Sequence, residues 1–171
     1  MFEVEAKVAI SKGDFCKLQK KLKNIAVFKG IYEKKDTYYN NSKGAFIRVR
    51  DENGDIIFGL KDKGLHGGIE ANTEIEWGIK DAKKWNKILN NIDIKPFIRK
   101  NKKTEAYILD NFIIELNFVS KLGYFIEIER VVKSKKEILK AKKELIDMFK
   151  KLGYSHKDFE KKYYLDMLLN K

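Results

Sequence analysis

The stretch FEVEAKVA, Phe2 to Ala9, alternates without a break. Phe2, Val4, Ala6 and Val8 fall on one side and Glu3, Glu5 and Lys7 on the other, the two-residue period of a β-strand. The same arrangement returns along the chain. Arg48 and Arg50 oppose Ile47 and Val49, and Glu74 and Glu76 alternate with Thr73, Ile75 and Trp77. Lys100 and Lys102 share a face, Glu127 and Glu129 alternate with Ile126 and Ile128, and Lys61 ends the apolar run from Ile56 to Leu60. A lone Glu-x-Glu is ordinary for a sheet with one wet face. Its repetition in strand after strand, each with an apolar opposite face, is the feature that needs explaining.

The pattern predicts eight strands, at 2–9, 27–40, 44–51, 55–62, 69–79, 95–109, 111–119 and 123–132. Asn53-Gly54 makes a hairpin turn, and Pro96, the single proline, sits at a strand entry where a missing N–H is tolerated. Helices are predicted at 11–24 with Ser11 as cap, at 81–91 with Asp81 as cap, from Ser134 to a stop at Gly153, and at 157–169. Their apolar stripes suit the apolar faces of the strands. If helices cover the outside, the charged faces line the inside of a curved sheet or barrel. The fold class is therefore α+β, a curved sheet or barrel with helices packed on its outside. No linker or low-complexity stretch divides residues 1–171, so the chain reads as a single domain, its C-terminal helices from about 134 outside the barrel.

Small barrels usually fill their interior with apolar side chains. One lined by Glu together with Lys and Arg carries a large desolvation cost unless it is hydrated or holds a charged ligand. Paired carboxylates suit hard cations such as Mg²⁺ or Mn²⁺. Clustered Arg and Lys suit phosphate oxygens, Arg through its bidentate fork. Both together describe a metal–polyphosphate site. The net charge of +12 agrees with an anionic partner, though a solvated lysine surface explains it equally well.

Other chemistry is thin. Cys16 is the only cysteine, which excludes an internal disulfide and a cysteine-cluster metal site. His66 and His156 stand apart in polar surroundings, and Gly67-Gly68 lacks the continuation of a phosphate loop. Tyr38, Tyr39, Tyr107, Tyr163 and Tyr164 offer rings for a base, but barrel packing accounts for them more simply. The charged opening and the lack of a long apolar run predict no signal peptide, no membrane span and a cytoplasmic protein.

These residues resemble the CYTH superfamily, the triphosphate tunnel metalloenzymes, named for class IV adenylyl cyclases and thiamine triphosphatases. Glu3-x-Glu5-x-Lys7 matches its first strand, and Asp36-Thr37-Tyr38-Tyr39 looks like its Asp-x-Tyr-aromatic strand. Arg48-x-Arg50, Lys61, Glu74-x-Glu76 and the run Leu122 to Glu129 follow in the family's order. The likeness runs from Met1 to about Val131 and is closest to the short class IV adenylyl cyclase-like members. It departs at Asn72 and Thr104, where basic residues are usual, and at Asn117, where an aspartate is usual and Glu115 on the same face offers a substitute.

The resemblance implies an α+β fold with an antiparallel eight-stranded β-barrel, the triphosphate tunnel, with helices packed on its outside, and a metal-dependent phosphoryl-transfer enzyme using Mg²⁺ or Mn²⁺. Glu3, Glu5, Glu127 and Glu129, with Glu74 and Glu76 nearby, are the implied metal ligands. Lys7, Arg48, Arg50, Lys61 and Lys102 are the implied phosphate ligands, with Lys7, Arg50 and Lys61 catalytic. The substrate is a triphosphate-bearing small molecule: ATP for a cyclase, or tripolyphosphate, thiamine triphosphate or a nucleotide for a triphosphatase. A non-catalytic polyphosphate- or RNA-binding module is the third reading, motivated by the three departures and by the lysines of 133–143. A homodimer fits the subgroup, without a sequence feature of its own.

Overall fold

The computed structural model describes residues 1–39, 46–61 and 64–170. Within them the chain runs β1 (Phe2–Ile10), α1 (Lys12–Ile25), β2 (Val27–Tyr39), β3 (Phe46–Glu52), β4 (Asp55–Lys61), β5 (Leu65–His66) and β6 (Ile69–Ile79). Then follow α2 (Ala82–Asn91), β7 (Pro96–Leu109), β8 (Phe112–Val119), β9 (Gly123–Val132), α3 (Ile138–Leu152) and α4 (Tyr164–Leu169). The antiparallel sheet is ordered β1-β9-β8-β7-β2-β3-β4-β6, and β6 pairs back onto β1 from Phe2↔Thr73 to Ala6↔Ile69. The strongly curled sheet thus meets itself. The ninth strand, β5, is a two-residue addition on the edge of β6.

Local chemistry sets the element ends. The Ser11 hydroxyl accepts from the Asp14 N–H at 3.0 Å, and Asp81 does the same for Lys84 at 3.0 Å, each satisfying a free N–H of a first turn. Gly153 ends α3 in the left-handed region. Asn53 and Gly54, at φ 52° and 98°, make the two-residue hairpin between β3 and β4.

The apolar strand faces point outward and are covered. Val4, Ala6 and Val8 of β1, Ile114 and Leu116 of β8, and Ile126 and Ile128 of β9 pack under Leu18 and Leu22 of α1 and Leu145 and Phe149 of α3. A smaller cluster on the opposite wall joins Tyr39, Val49 and Phe58 to Leu89 and Trp85 of α2. Hydrophobic burial therefore lies around the barrel and leaves its interior to the charged faces.

One expectation is corrected. The C-terminal stretch is not a single helix from 157 to 169 on the outside. Residues 156–158 form a 3₁₀ turn; Phe159 then bridges to Val8, and the Glu160 N–H donates to the Lys7 carbonyl at 2.8 Å. Backbone pairing to β1 wins over helix propensity there. It delivers α4 to an end of the barrel, where Tyr164 packs on Val119 and Phe125.

Gly68 sits against this strap at φ 82°, and a Cβ there would lie 2.7 Å from Phe159 Cβ. Gly68→Ala should therefore cost roughly 1–3 kcal/mol through backbone strain and the displaced strap. A urea midpoint equal to wild type would show that the strap is not held in this way.

Candidate active site

The inward faces enclose a cavity of about 250 Å³. Its cationic wall comes from β2, β3 and β7, which are neighbours in the sheet. Arg50, Asp36 and Lys100 stand in one cross-strand row. Asp36, with no exposed side-chain surface, accepts from Arg50 Nε at 2.7 Å and Nη2 at 3.1 Å, and lies 3.0 Å from Lys100 Nζ. Arg48 is 4.0 Å away and also donates to Glu76. Burial alone would raise the Asp36 carboxyl, but Lys100, Arg50 and Arg48 outweigh it and hold it well below the usual carboxylate range.

The opposite wall is acidic. Glu5 of β1 is directly opposite Glu129 of β9 on one side and Glu70 of β6 on the other. Like charges in directly opposed positions repel, so this row needs cations. Glu70 has one, because Lys7 Nζ donates to it at 2.5 Å. Burial pushes the Lys7 ammonium down; Glu70, Glu5 and Glu127 push it up further, and the net shift is upward. Carboxylate oxygens of Glu3, Glu5 and Glu129 gather within 4.8 Å of one another. Three hard oxygen donors at that separation fit a small divalent cation.

Between the walls lies a third group. Lys102 Nζ is 2.8 Å from Glu115 and 2.8 Å from Glu127, while Lys34 meets Glu115 at 2.8 Å. Asn117 donates to Glu127 at 2.8 Å, and the Thr104 hydroxyl pairs with the Asn117 carbonyl oxygen at 2.6 Å. Burial would lower Lys102, but Glu115 and Glu127 more than reverse it and keep the ammonium charged.

The expected site residues thus divide. Glu3, Glu5, Glu129, Lys7, Arg48, Arg50 and Lys102 all line the one cavity. Glu127 and Glu76 line it too, but face Lys102 and Arg48 instead of the three-carboxylate group. Lys61 and Glu74 are backbone partners between β4 and β6, and their side chains lie outside the described residues. Sequence reasoning left Lys34, Asp36, Glu70 and Lys100 out of the site ligands and offered Glu115 only as a substitute for the missing aspartate. Parity held the signal, since Lys34, Asp36 and Tyr38 alternate on one strand. Tyr163, Tyr164 and Leu165 also line the cavity, with the Tyr164 ring 5.2 Å from Lys7 Nζ and 5.3 Å from Lys100 Nζ. Tyr39 and Tyr107 belong to the outer clusters, as packing predicts.

A curled antiparallel sheet with cationic and carboxylate walls facing each other across a polar tunnel defines a small class of proteins. Residues 1–164 match the CYTH domain family, and the chain belongs to it. It is 29% identical over 175 residues to a Methanocaldococcus jannaschii protein named as a candidate adenylate cyclase, covering 98% of each chain. The PH1012 protein of Pyrococcus horikoshii superposes with a TM-score of 0.85 at 27% identity, over 96% of this chain and 98% of that one. A Hippeastrum candidate adenylyl cyclase, described as having a dominant triphosphatase activity, aligns at TM-score 0.68 and 14% identity. It covers 99% of this chain and 95% of that one, a likeness of fold.

Asp36→Asn leaves Arg50 and Lys100 buried without their shared anion, and should destabilise the protein by about 3–5 kcal/mol. The depressed Asp36 carboxyl implies a matching pH dependence. Its contribution is complete above the unfolded value near 3.8 and is lost as pH falls through the lower folded value. Urea melts of wild type and Asp36→Asn from pH 7 to 2 should converge at the acid end. A gap between them that stays constant with pH would contradict this role.

Proposed function

We propose that the protein is a divalent-metal-dependent enzyme acting on a triphosphate group inside the tunnel. The observation that carries this reading is the placement of Arg48, Arg50 and Lys100 across one cavity from Glu3, Glu5 and Glu129. The two arginines and Lys100 would bind phosphate oxygens, already oriented by Asp36. Lys61, from the resemblance, would join them. Glu3, Glu5 and Glu129 would hold Mg²⁺ or Mn²⁺, which when bound offsets phosphate charge as a Lewis acid. Lys7, kept as an ammonium by its carboxylate neighbours, supplies charge at the reacting phosphates and does not take a proton. Tyr164 and Leu165 close part of the cavity against water.

The first reaction to test is cyclisation of ATP, the activity in the name of the full-length archaeal relative. There the ribose 3′-oxygen attacks the α-phosphorus and pyrophosphate leaves. Hydrolysis of a terminal phosphate is the second reading, and the cavity itself favours it. Among the described residues its lining is charged except for Gly59, Tyr38, Leu60, Tyr163, Tyr164 and Leu165, which suits a phosphate chain.

Purified protein should be incubated with ATP, thiamine triphosphate or tripolyphosphate in Mg²⁺ or Mn²⁺, and every product resolved. Cyclic AMP with pyrophosphate establishes the cyclase; orthophosphate with the substrate shortened by one phosphate, and no cyclic nucleotide, establishes the triphosphatase. Glu129→Gln should lower either turnover by about 10²-fold or more, as does loss of one preorganised electrostatic group elsewhere. Absence of turnover on all three substrates in both metals would overturn the enzyme reading in favour of a polyphosphate- or RNA-binding module.

A further inference from the structure

The inward carboxylates divide by what neutralises them. Glu70 takes Lys7, and Asp36 takes Arg50 and Lys100. Glu3, Glu5 and Glu129 form the compact oxygen cluster. Glu115 and Glu127 are a further directly opposed acidic pair, on β8 and β9, where two negative charges face each other across the ladder. Such a pair is a natural seat for a divalent ion. In this chain it is already filled: the Lys102 ammonium lies 2.8 Å from an oxygen of each. Both Lys102 and Asn117 donate to the same oxygen of Glu127, and Lys34 takes the other oxygen of Glu115.

Resting on the metal reading above, we infer that Lys102 stands in place of a second divalent cation, so that the tunnel takes a single ion on Glu3, Glu5 and Glu129 and Glu127 is not among its ligands. Three observations converge. Lys102 is 7% exposed and Glu127 9%, so a second ion entering between the acids has to expel or face a buried ammonium. The Lys34 and Lys102 backbones are directly opposed, and their ammonium groups converge on Glu115, placing two positive charges at that pair. Thr104 and Asn117, neutral in a charged interior, bond to each other and leave Asn117 free to orient Glu127 toward Lys102. Lys102 is on this account a positioning residue that sets metal number, and Glu127 its anchor. The phosphate-binding work then falls to Arg48, Arg50 and Lys100, with Lys7 and Lys61 as proposed above.

The test counts Mn²⁺ bound per chain, from loss of the free-ion EPR signal, with no phosphate ligand present. Wild type should take up one ion. Glu129→Gln should weaken that binding by about 10-fold or more, whereas Glu127→Gln should leave it within about 3-fold. Lys102→Met should admit a second ion. Two ions on wild type, or equal weakening by Glu127→Gln and Glu129→Gln, overturns this inference and leaves the metal reading standing. A folded Lys102→Met variant that still takes one ion also overturns it. If Lys102→Met does not fold, the two glutamate variants decide. Wild type that takes up no Mn²⁺ at millimolar concentration overturns the metal reading itself.

Discussion

Asp36 has no solvent-exposed surface, yet it meets two guanidinium groups and an ammonium. An anion so placed is untenable alone, and three cations crowded together are equally so. Each is tolerable because of the other, and much of the tunnel wall depends on that mutual neutralisation. The carboxylate fixes the arginine forks from beneath, so their remaining N–H groups are held in place before any ligand arrives. Glu76 on Arg48 and Glu52 near Arg50 add further carboxylates to the same wall. The donors on this wall therefore have their orientation set by the fold itself.

The interior is built from such unequal groupings. Glu70 with Lys7 is balanced, and Glu115 and Glu127 with Lys102 and Lys34 nearly so. Arg48, Arg50 and Lys100 gather around Asp36 on one wall, and the carboxylates of Glu3, Glu5 and Glu129 gather on the other. The covering helices matter to this chemistry only indirectly. By burying the outer faces under Leu22, Leu145 and Phe149 they supply the hydrophobic stabilisation that lets the inner faces stay polar.

Strand parity made the barrel legible, because a two-residue period assigns every side chain to one wall or the other. Turn and cap chemistry at Ser11, Asn53-Gly54, Asp81 and Gly153 then placed the ends of elements within a residue or two. Parity does not say which inward group a long side chain will reach. Glu127 and Glu129 look equivalent along β9, yet one meets Lys102 and the other joins the carboxylate cluster. The stem of Lys102, which carries its ammonium past β8, makes the difference. Glu70 was missed because its partner, Lys7, is remote in sequence. The extended stretch after residue 158 was missed for a related reason: its backbone partner is β1, at the other end of the chain. Asn72, which departs from the family pattern, bonds to Glu70 and to the Gly64 N–H, a local arrangement that no spacing rule contains.

The ring closes through β1, whose partners are β6 and β9. During synthesis from the N-terminus β1 precedes both of its partners, and its pairing is completed only once β9 has been made. Its ladder with β6 can form only after residues 69–73 have emerged and its ladder with β9 only after 123–132, and such long-range pairings are slow to form. Until the first of these it is a lone strand with both edges open, and until the second one edge waits for β9. The alternation that later points Glu3, Glu5 and Lys7 into the tunnel puts charge on every second position of the waiting strand, which discourages pairing with other nascent chains. The charges that line the finished tunnel thereby guard the strand while it waits for its partners.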